Sequence, residues 1–152
     1  ISSDAEKLRQ RGPDMAGIVF KEHADLPSAQ VLRLYEDAGW TNYTNDPGKL
    51  MRALDGSLGV ISVWDGDTLV GLARVVGDGE TILYVQDILL LRDYQRRGLG
   101  LRLLTEVFDR YPSVRQKVLI ADGTPELRAF YVACGLKPIN ELDCMAYCRF
   151  DV

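Results

Sequence analysis

Histidine, cysteine and long apolar runs are scarce in this 152-residue sequence, and each scarcity excludes a class of protein. His23 is the only histidine, which excludes a metal site built from several histidines and disfavours a histidine-based catalytic triad. Cys134, Cys144 and Cys148 lack metal-site spacing to a histidine, so we expect buried, reduced thiols in a cytoplasmic protein. We expect neither a membrane span nor a secretory signal, because no apolar run is long enough for a span.

The charge balance is mildly acidic, with 18 Lys and Arg against 22 Asp and Glu and a formal net charge of −4. A general nucleic-acid surface would need a basic excess, so we expect no nucleic-acid partner. An acidic surface suits a cationic or amine substrate, although it is also common among soluble proteins. The 47% hydrophobic content is enough for the core of one globular domain.

Residues 1–16 are polar and lack periodicity, so we expect a flexible N-terminal lead, followed by a single domain over residues 17–152. Hydrophobic periodicity, capping residues and turn signals divide that domain into strands and helices. The predicted strands cover residues 17–21, 58–64, 68–76, 81–91, 115–121 and 143–150. The predicted helices start at Pro27, at Asp46-Pro47, after Gly100 and at Thr124.

The stretch from Tyr84 to Tyr111 is organised as a strand, a glycine-containing turn and an amphipathic helix. Residues 88–91 are consecutive apolar residues, typical of a strand buried on both faces. The turn QRRGLG at residues 95–100 would leave free backbone N–H groups at the positive end of the helix dipole, which suits a phosphate. The turn is not a P-loop, because no Lys-Ser/Thr follows its last glycine, and Leu103 replaces the third glycine of a dinucleotide fingerprint.

Two motifs of the sequence resemble those of the GNAT superfamily of N-acetyltransferases. The first is QRRGLG at residues 95–100, and the second is FYVACGL at residues 130–136, whose final leucine replaces the usual phenylalanine. The resemblance extends over residues 18–150, because the order of elements also fits. It implies an α/β (α+β) fold, the GNAT acyl-CoA N-acyltransferase fold. That fold has a mixed, mostly antiparallel sheet with a splayed parallel strand pair, flanked by about four helices.

The resemblance also implies acetyl-CoA as the cosubstrate, and no metal. In the family, pantetheine pairs with strand backbone where two parallel strands splay, and loop amides hold the pyrophosphate. The positions implied here are Leu89, Leu90 and Leu91 in the strand and Gln95, Arg96, Arg97, Gly98, Leu99, Gly100 and Leu101 in the loop. The basic residues around the loop either supply charge to the CoA phosphates or form a solvated helix start; they are Arg92, Arg96, Arg97 and Arg102.

By the same resemblance, two residues are candidates for proton transfer. Tyr131 is the candidate acid, because its neutral phenol would donate to the leaving sulfur; the alternative is a core aromatic on a helix face. Asp87 is the candidate base, acting through water on a protonated amine; the alternative is a carboxylate paired with a backbone N–H or an arginine. A bulge, common in this strand of the family, would decide which face of the sheet Asp87 occupies.

Trp40, Tyr43 and Gln86 are the candidate substrate-binding residues. Trp40 and Tyr43 lie between two predicted helices, where the family forms part of the acceptor wall; alternatively, both cover the core. Gln86 stands next to Asp87 at the polar start of an otherwise apolar strand segment.

We therefore expect an enzyme, an N-acetyltransferase that moves an acetyl group from acetyl-CoA to a primary amine by direct attack in a ternary complex. Two alternatives stay open: a non-catalytic acyl-CoA-binding or sensing module, and an interaction protein that keeps only the fold. The acceptor would be a small-molecule or peptide amine of open identity. The resemblance also allows a homodimer.

The glycine turn generates the first testable prediction. Gly100→Val should abolish acetyl-CoA binding in a domain that stays folded, because a branched side chain would block the approach of a phosphate to the backbone. Isothermal titration calorimetry measures the affinity, and circular dichroism checks the fold. An unchanged affinity in the folded variant would show that the loop is not the binding site.

Overall fold

The computed structural model describes residues 16–151, so the predicted N-terminal lead lies outside the described residues except for Ala16. Contacts within the chain group it into two units, one ending at Ile120 and the other starting at Ala121. The strands of the first unit are β1 (Ile18–Glu22), β2 (Gly59–Asp65), β3 (Thr68–Gly77), β4 (Ile82–Leu90) and β5 (Gln116–Leu119). Its helices are α1 (Ser28–Asp37), α2 (Thr41–Thr44), α3 (Pro47–Asp55) and α4 (Leu99–Arg110), and the second unit contains α5 (Pro125–Ala133).

The five strands form one sheet in the order β1-β2-β3-β4-β5. The first four strands are antiparallel neighbours, and β5 pairs parallel to β4. Helix α4 connects these two parallel strands, as parallel neighbours require a crossover. The predicted α+β fold with a mixed, mostly antiparallel sheet is therefore confirmed.

Strands β4 and β5 pair over only part of their length. The parallel register runs from Ile82 opposite Gln116 to Val85 opposite Leu119. Strand β4 continues to Leu90, so its far half has no β5 partner within residues 16–151. The observed β5 is shorter than the predicted strand at residues 115–121. The part of β4 after Val85 therefore has no strand partner on the side away from β3.

A bulge interrupts the pairing of β3 with β4. Arg74 lies opposite Asp87, but the next residue of β3, Val75, lies opposite Val85, so Gln86 is the extra residue. Residues that oppose each other share a face, and consecutive residues of β3 lie on opposite faces. The bulge therefore moves Asp87 to the face of Arg74, away from the face of Val75 and Val85.

Apolar residues of the helices cover both faces of the sheet. Helix α1 buries Val31, Leu34 and Tyr35, and α4 buries Leu99, Leu103, Leu104 and Val107. Their spacing of three and four residues places each set on one side of its helix. Helix α3 begins at the predicted Asp46-Pro47 signal, where the Asp46 side chain accepts a hydrogen bond from the Lys49 N–H.

The second unit differs from the sequence prediction at its C-terminal end. The predicted strand at 143–150 is wrong, because its described residues pair with no strand. Its apolar side chains are instead exposed, with Met145 at 69%, Tyr147 at 88% and Phe150 at 85%. Alternation indicates which side chains would share a face, but a strand also needs a partner edge, and none pairs with this segment.

The cysteines are less buried than the sequence suggested. Cys134 is half-buried, whereas Cys144 and Cys148 are exposed, and all three thiols are free. The expectation of buried thiols is therefore wrong for the two cysteines in the C-terminal segment, because the strand that would have buried one side of that segment does not form.

Gly71 provides a test of the β3–β4 packing. It lies opposite Leu90, and an added Cβ would be 2.9 Å from the Leu89 carbonyl oxygen. Gly71→Ala should lower the free energy of unfolding by about 1–3 kcal/mol, the usual cost of overpacking. Urea denaturation measures this. Gly123→Ala is the control, because an added Cβ there meets no atom of the described residues within 4 Å; equal stability of the two variants would contradict the packing.

Candidate active site

The turn before α4 has the backbone shape of an anion-binding site. Arg96 and Gly98 both have positive φ angles, of 61° and 82°, and α4 begins at Leu99. The first intrahelical hydrogen bond of α4 runs from the Arg102 N–H to the Gly98 carbonyl. The preceding N–H groups have no helical acceptor and lie at the positive end of the dipole. Alternating left-handed residues also make a concave nest for an anion.

Two side chains tether this turn to the sheet. Gln95 Nε2 donates to the Leu90 carbonyl at 3.2 Å, which ties the turn to the end of β4. The Tyr94 hydroxyl donates to the Asp65 carboxylate at 2.5 Å, which ties it to the end of β2. Gln95 therefore contacts the protein itself, and the candidate phosphate-binding groups that remain in the turn are backbone N–H groups and arginine side chains.

The four arginines around the turn have different surroundings. Arg102 pairs with Glu106 at 2.9 Å and lies over the Phe20 ring, as a helix-surface residue does. The Arg97 guanidinium lies 4.9 Å from the centre of the Tyr94 ring. Among residues 16–151, Arg92 and Arg96 have no side-chain ion pair, so their charges are available to an anion at the turn. The pyrophosphate of a CoA ester fits these open N–H groups and charges.

Asp87 lies in a closed hydrogen-bonded cluster. It is 2% exposed, and its Oδ2 accepts from Arg74 Nε and from the Tyr35 hydroxyl, each at 2.7 Å. Its Oδ1 accepts from the Tyr43 hydroxyl, also at 2.7 Å. Asp87 is thus paired with an arginine, as one of the two sequence interpretations expected, and it contacts the surface only through Tyr43.

Burial and neighbouring charges shift the pKa values of Tyr35, Tyr43 and Arg74, and so determine which of these groups carry a proton. Burial, followed by the charge of Asp87, raises the pKa of Tyr35 well above its usual value. Burial and the hydrogen bond to Asp87 raise the pKa of Tyr43. Burial alone would lower the pKa of Arg74, but the hydrogen bond and charge of Asp87 reverse this and raise it. Both phenols therefore stay protonated and donate to Asp87.

The predicted substrate-binding residues lie on the side of this cluster that reaches the protein surface. The centre of the Tyr43 ring lies 5.0 Å from the centre of the Tyr35 ring and 6.1 Å from the centre of the Trp40 ring. Trp40 and Tyr43 are both half-buried, so they cover the core and also present surface. Gln86 is exposed at the bulge, where its Nε2 donates to the Tyr43 hydroxyl at 3.2 Å.

Sequence reasoning missed Tyr35 and Arg74, which hold Asp87. Arg74 is the only charged residue in TLVGLARVVG, and a lone charge in such an apolar strand indicates a buried partner. Tyr35 gave no comparable signal, because a tyrosine on the apolar face of a helix is ordinary.

Tyr131 lies on α5 in the second unit. The helix starts at the predicted Thr124-Pro125 signal, where the Thr124 side chain accepts a hydrogen bond from the Leu127 N–H. Tyr131 is half-buried, with its ring 5.0 Å from that of Phe130. Burial raises the pKa of Tyr131, with a further contribution from Cys134, so the phenol stays protonated and able to donate. Burial also raises the pKa of the Cys134 thiol to about 11.

Comparison with known proteins agrees with the fold. A family model described as "Acetyltransferase (GNAT) family" matches residues 20–136. An uncharacterized N-acetyltransferase from Prochlorococcus marinus is 29% identical over 128 residues, covering 80% of this chain and 69% of the relative. A solved GNAT family acetyltransferase from Streptococcus pneumoniae is 34% identical with a TM-score of 0.79, covering 88% of this chain and 98% of that one.

A more distant structure shares the fold alone. An aminoglycoside acetyltransferase from an uncultured soil metagenomic sample is 19% identical, with a TM-score of 0.67, and covers 90% of this chain and 97% of that one. Among the described residues, no helix has the length and apolarity that crossing a membrane requires. The same residues contain no cluster of three or more His, Cys, Asp or Glu side chains arranged for a metal.

The ion pair of Asp87 with Arg74 generates a stability prediction. Asp87→Asn should lower the free energy of unfolding by about 3–5 kcal/mol, because it leaves the buried guanidinium without a counter-ion. The double variant, with Asp87→Asn and Arg74→Met, should regain part of the lost free energy of unfolding. Urea denaturation of the variants measures both effects, with the exposed Asp122→Asn as control. Wild-type stability of Asp87→Asn would show that the pair is not buried in solution.

Proposed function

The chain belongs to the acetyltransferase (GNAT) family, and from this membership we propose that it transfers an acetyl group from acetyl-CoA to a primary amine. The acceptor would attack directly, in a ternary complex. The single observation that carries the proposal is the open turn at Arg96 and Gly98, which follows the half of β4 that has no β5 partner.

The residues proposed to hold acetyl-CoA form two groups. Backbone N–H groups from Arg96 to Leu101 hold the pyrophosphate, with charge from Arg92 and Arg96. The backbone of Leu89, Leu90 and Leu91, on the side that lacks a β5 partner, pairs with the amides of pantetheine as an additional strand would, and the Leu90 carbonyl would exchange its Gln95 donor for one of these amides. When bound, acetyl-CoA supplies an activated acetyl thioester.

The reaction needs two proton transfers as the N–C bond forms and the C–S bond breaks. The attacking nitrogen must lose a proton, and the departing sulfur must gain one. We propose Asp87 for the first, acting through water or through the Tyr43 hydroxyl because its own oxygens are buried. We propose the Tyr131 phenol for the second, since it stays protonated at neutral pH.

A non-catalytic acyl-CoA-binding or sensing module is the second candidate. The observation that favours it is the saturation of Asp87 by Arg74, Tyr35 and Tyr43, which suits a structural carboxylate. Thiol release from acetyl-CoA in a screen of amines separates the two candidates, because a sensor binds CoA without releasing thiol above the uncatalysed rate. The absence of a metal requirement, a cytoplasmic location, a homodimer and the lack of a nucleic-acid partner stay predictions, as does the single domain over residues 17–152.

Tyr131→Phe tests the proposed acid. Loss of the phenol oxygen should lower kcat by about 10²–10⁴-fold, the usual contribution of general acid catalysis. The affinity for acetyl-CoA and the melting temperature should change little, because the ring is retained. Tyr147→Phe is the matched control, since that ring is 88% exposed.

The same pair of variants also separates catalysis from structure. Turnover by Tyr131→Phe equal to that of wild type across the pH range would assign Tyr131 a packing role. A melting temperature that falls together with kcat would indicate a structural hydrogen bond of the hydroxyl instead.

A further inference from the structure

Hydrogen bonds link Asp87 to Tyr43 and Tyr43 to Gln86, and the ion pair of Asp87 with Arg74 fixes which group donates in each. Arg74 pairs with Asp87 at 2.7 Å, so Asp87 is a carboxylate that can only accept hydrogen bonds. Tyr43 has one hydroxyl proton, and the 2.7 Å bond to Asp87 Oδ1 uses it. Towards every other neighbour, the Tyr43 oxygen can therefore only accept.

This constraint fixes the orientation of the Gln86 amide. The amide group that faces the Tyr43 oxygen must be a donor, so it is Nε2, at 3.2 Å. The nitrogen of the planar amide takes up the contact with Tyr43, so the acceptor oxygen Oε1 is the polar atom of the Gln86 side chain that this contact leaves unused. Among residues 16–151, Oε1 has no hydrogen-bond donor, and Gln86 is exposed.

The position of Gln86 in the sheet also sets its role. As the bulge residue it has no partner on β3, and the pairing of β4 with β5 ends one residue earlier, at Val85. Gln86 therefore lies where β4 first lacks a β5 partner, and its exposed side chain contacts the half-buried Tyr43. A bulge next to an active site commonly directs a side chain towards the substrate.

We infer that Gln86 Oε1 accepts a hydrogen bond from an N–H of the acceptor amine, and that Tyr43 and Asp87 are positioning residues that fix its direction. The inference rests on the proposed function for the identity of the acceptor as an amine. It makes the site selective for nitrogen groups that carry a proton. A quaternary ammonium of the same charge gains nothing from Oε1.

Ligand binding observed by NMR tests the inference without any acetyl transfer. Gln86 side-chain amide signals are followed in ¹⁵N-labelled wild-type protein during titration with n-butylammonium and, separately, with n-butyltrimethylammonium. We expect saturable shifts with the first ligand only, because the second has no N–H. The exposed Gln116 on β5 is the internal control and should not shift. Equal shifts with both ligands, or none with either, would overturn the inference.

Steady-state kinetics test the positioning by Tyr43. Gln86→Leu should raise the KM for the amine by about 10-fold or more, the cost of one hydrogen bond to a charged group, with the KM for acetyl-CoA unchanged. Tyr43→Phe should raise the amine KM less, because the amide remains but can rotate. In the Gln86→Leu background, Tyr43→Phe should add nothing to the amine KM. Independent effects of the two substitutions would exclude the positioning role.

Failure of the inference differs from failure of the proposed function. If wild-type protein releases thiol with amines and Gln86→Leu keeps the wild-type amine KM, only the inference is wrong. If n-butylammonium shifts the Gln86 signals but no amine produces thiol release, the proposed reaction is wrong and the amine site remains. Melting temperatures of the variants show whether a KM change reflects the fold.

Discussion

The buried ion pair between Arg74 and Asp87 is the constraint on which the rest of the site depends. Removing both charges from water is costly, and their mutual attraction offsets the cost only when the remaining polar atoms are also satisfied. Tyr35 and Tyr43 satisfy the carboxylate, and they come from α1 and α2. The pair therefore requires both helices to lie at fixed positions on the sheet, and it couples the aromatic surface at Trp40 and Tyr43 to the central strands.

The turn before α4 depends on a different constraint. A non-glycine residue such as Arg96 in the left-handed region costs about 1–3 kcal/mol, and it persists only where its surroundings fix it. The tethers from Gln95 to β4 and from Tyr94 to β2 supply that fixation. The open N–H groups of the turn are thus held in place by the protein itself, and for the proposed acetyl-CoA site this would lower the entropic cost of binding.

Local patterns in the sequence were enough to predict most elements and the glycine turn. Capping residues such as Asp46 and Thr124 act within one helical turn, and their signals are read directly from the chain. The face occupied by Asp87 could not be read in this way, because it depends on the register between two strands. The C-terminal strand at 143–150 failed for a related reason, since alternation carries no information about a partner edge.

The bulge has a consequence for how this sequence can vary between relatives. The side chain at position 86 is exposed, so different residues there are compatible with the same backbone. The same holds for chain length at this point, because Gln86 is the extra residue of β4. Its deletion would restore strict alternation and leave Asp87 opposite Arg74, on the same face of the sheet. The buried ion pair therefore tolerates both substitution and loss of the residue at position 86, whereas deletion of a neighbouring residue on β3 would break the register that the pair needs.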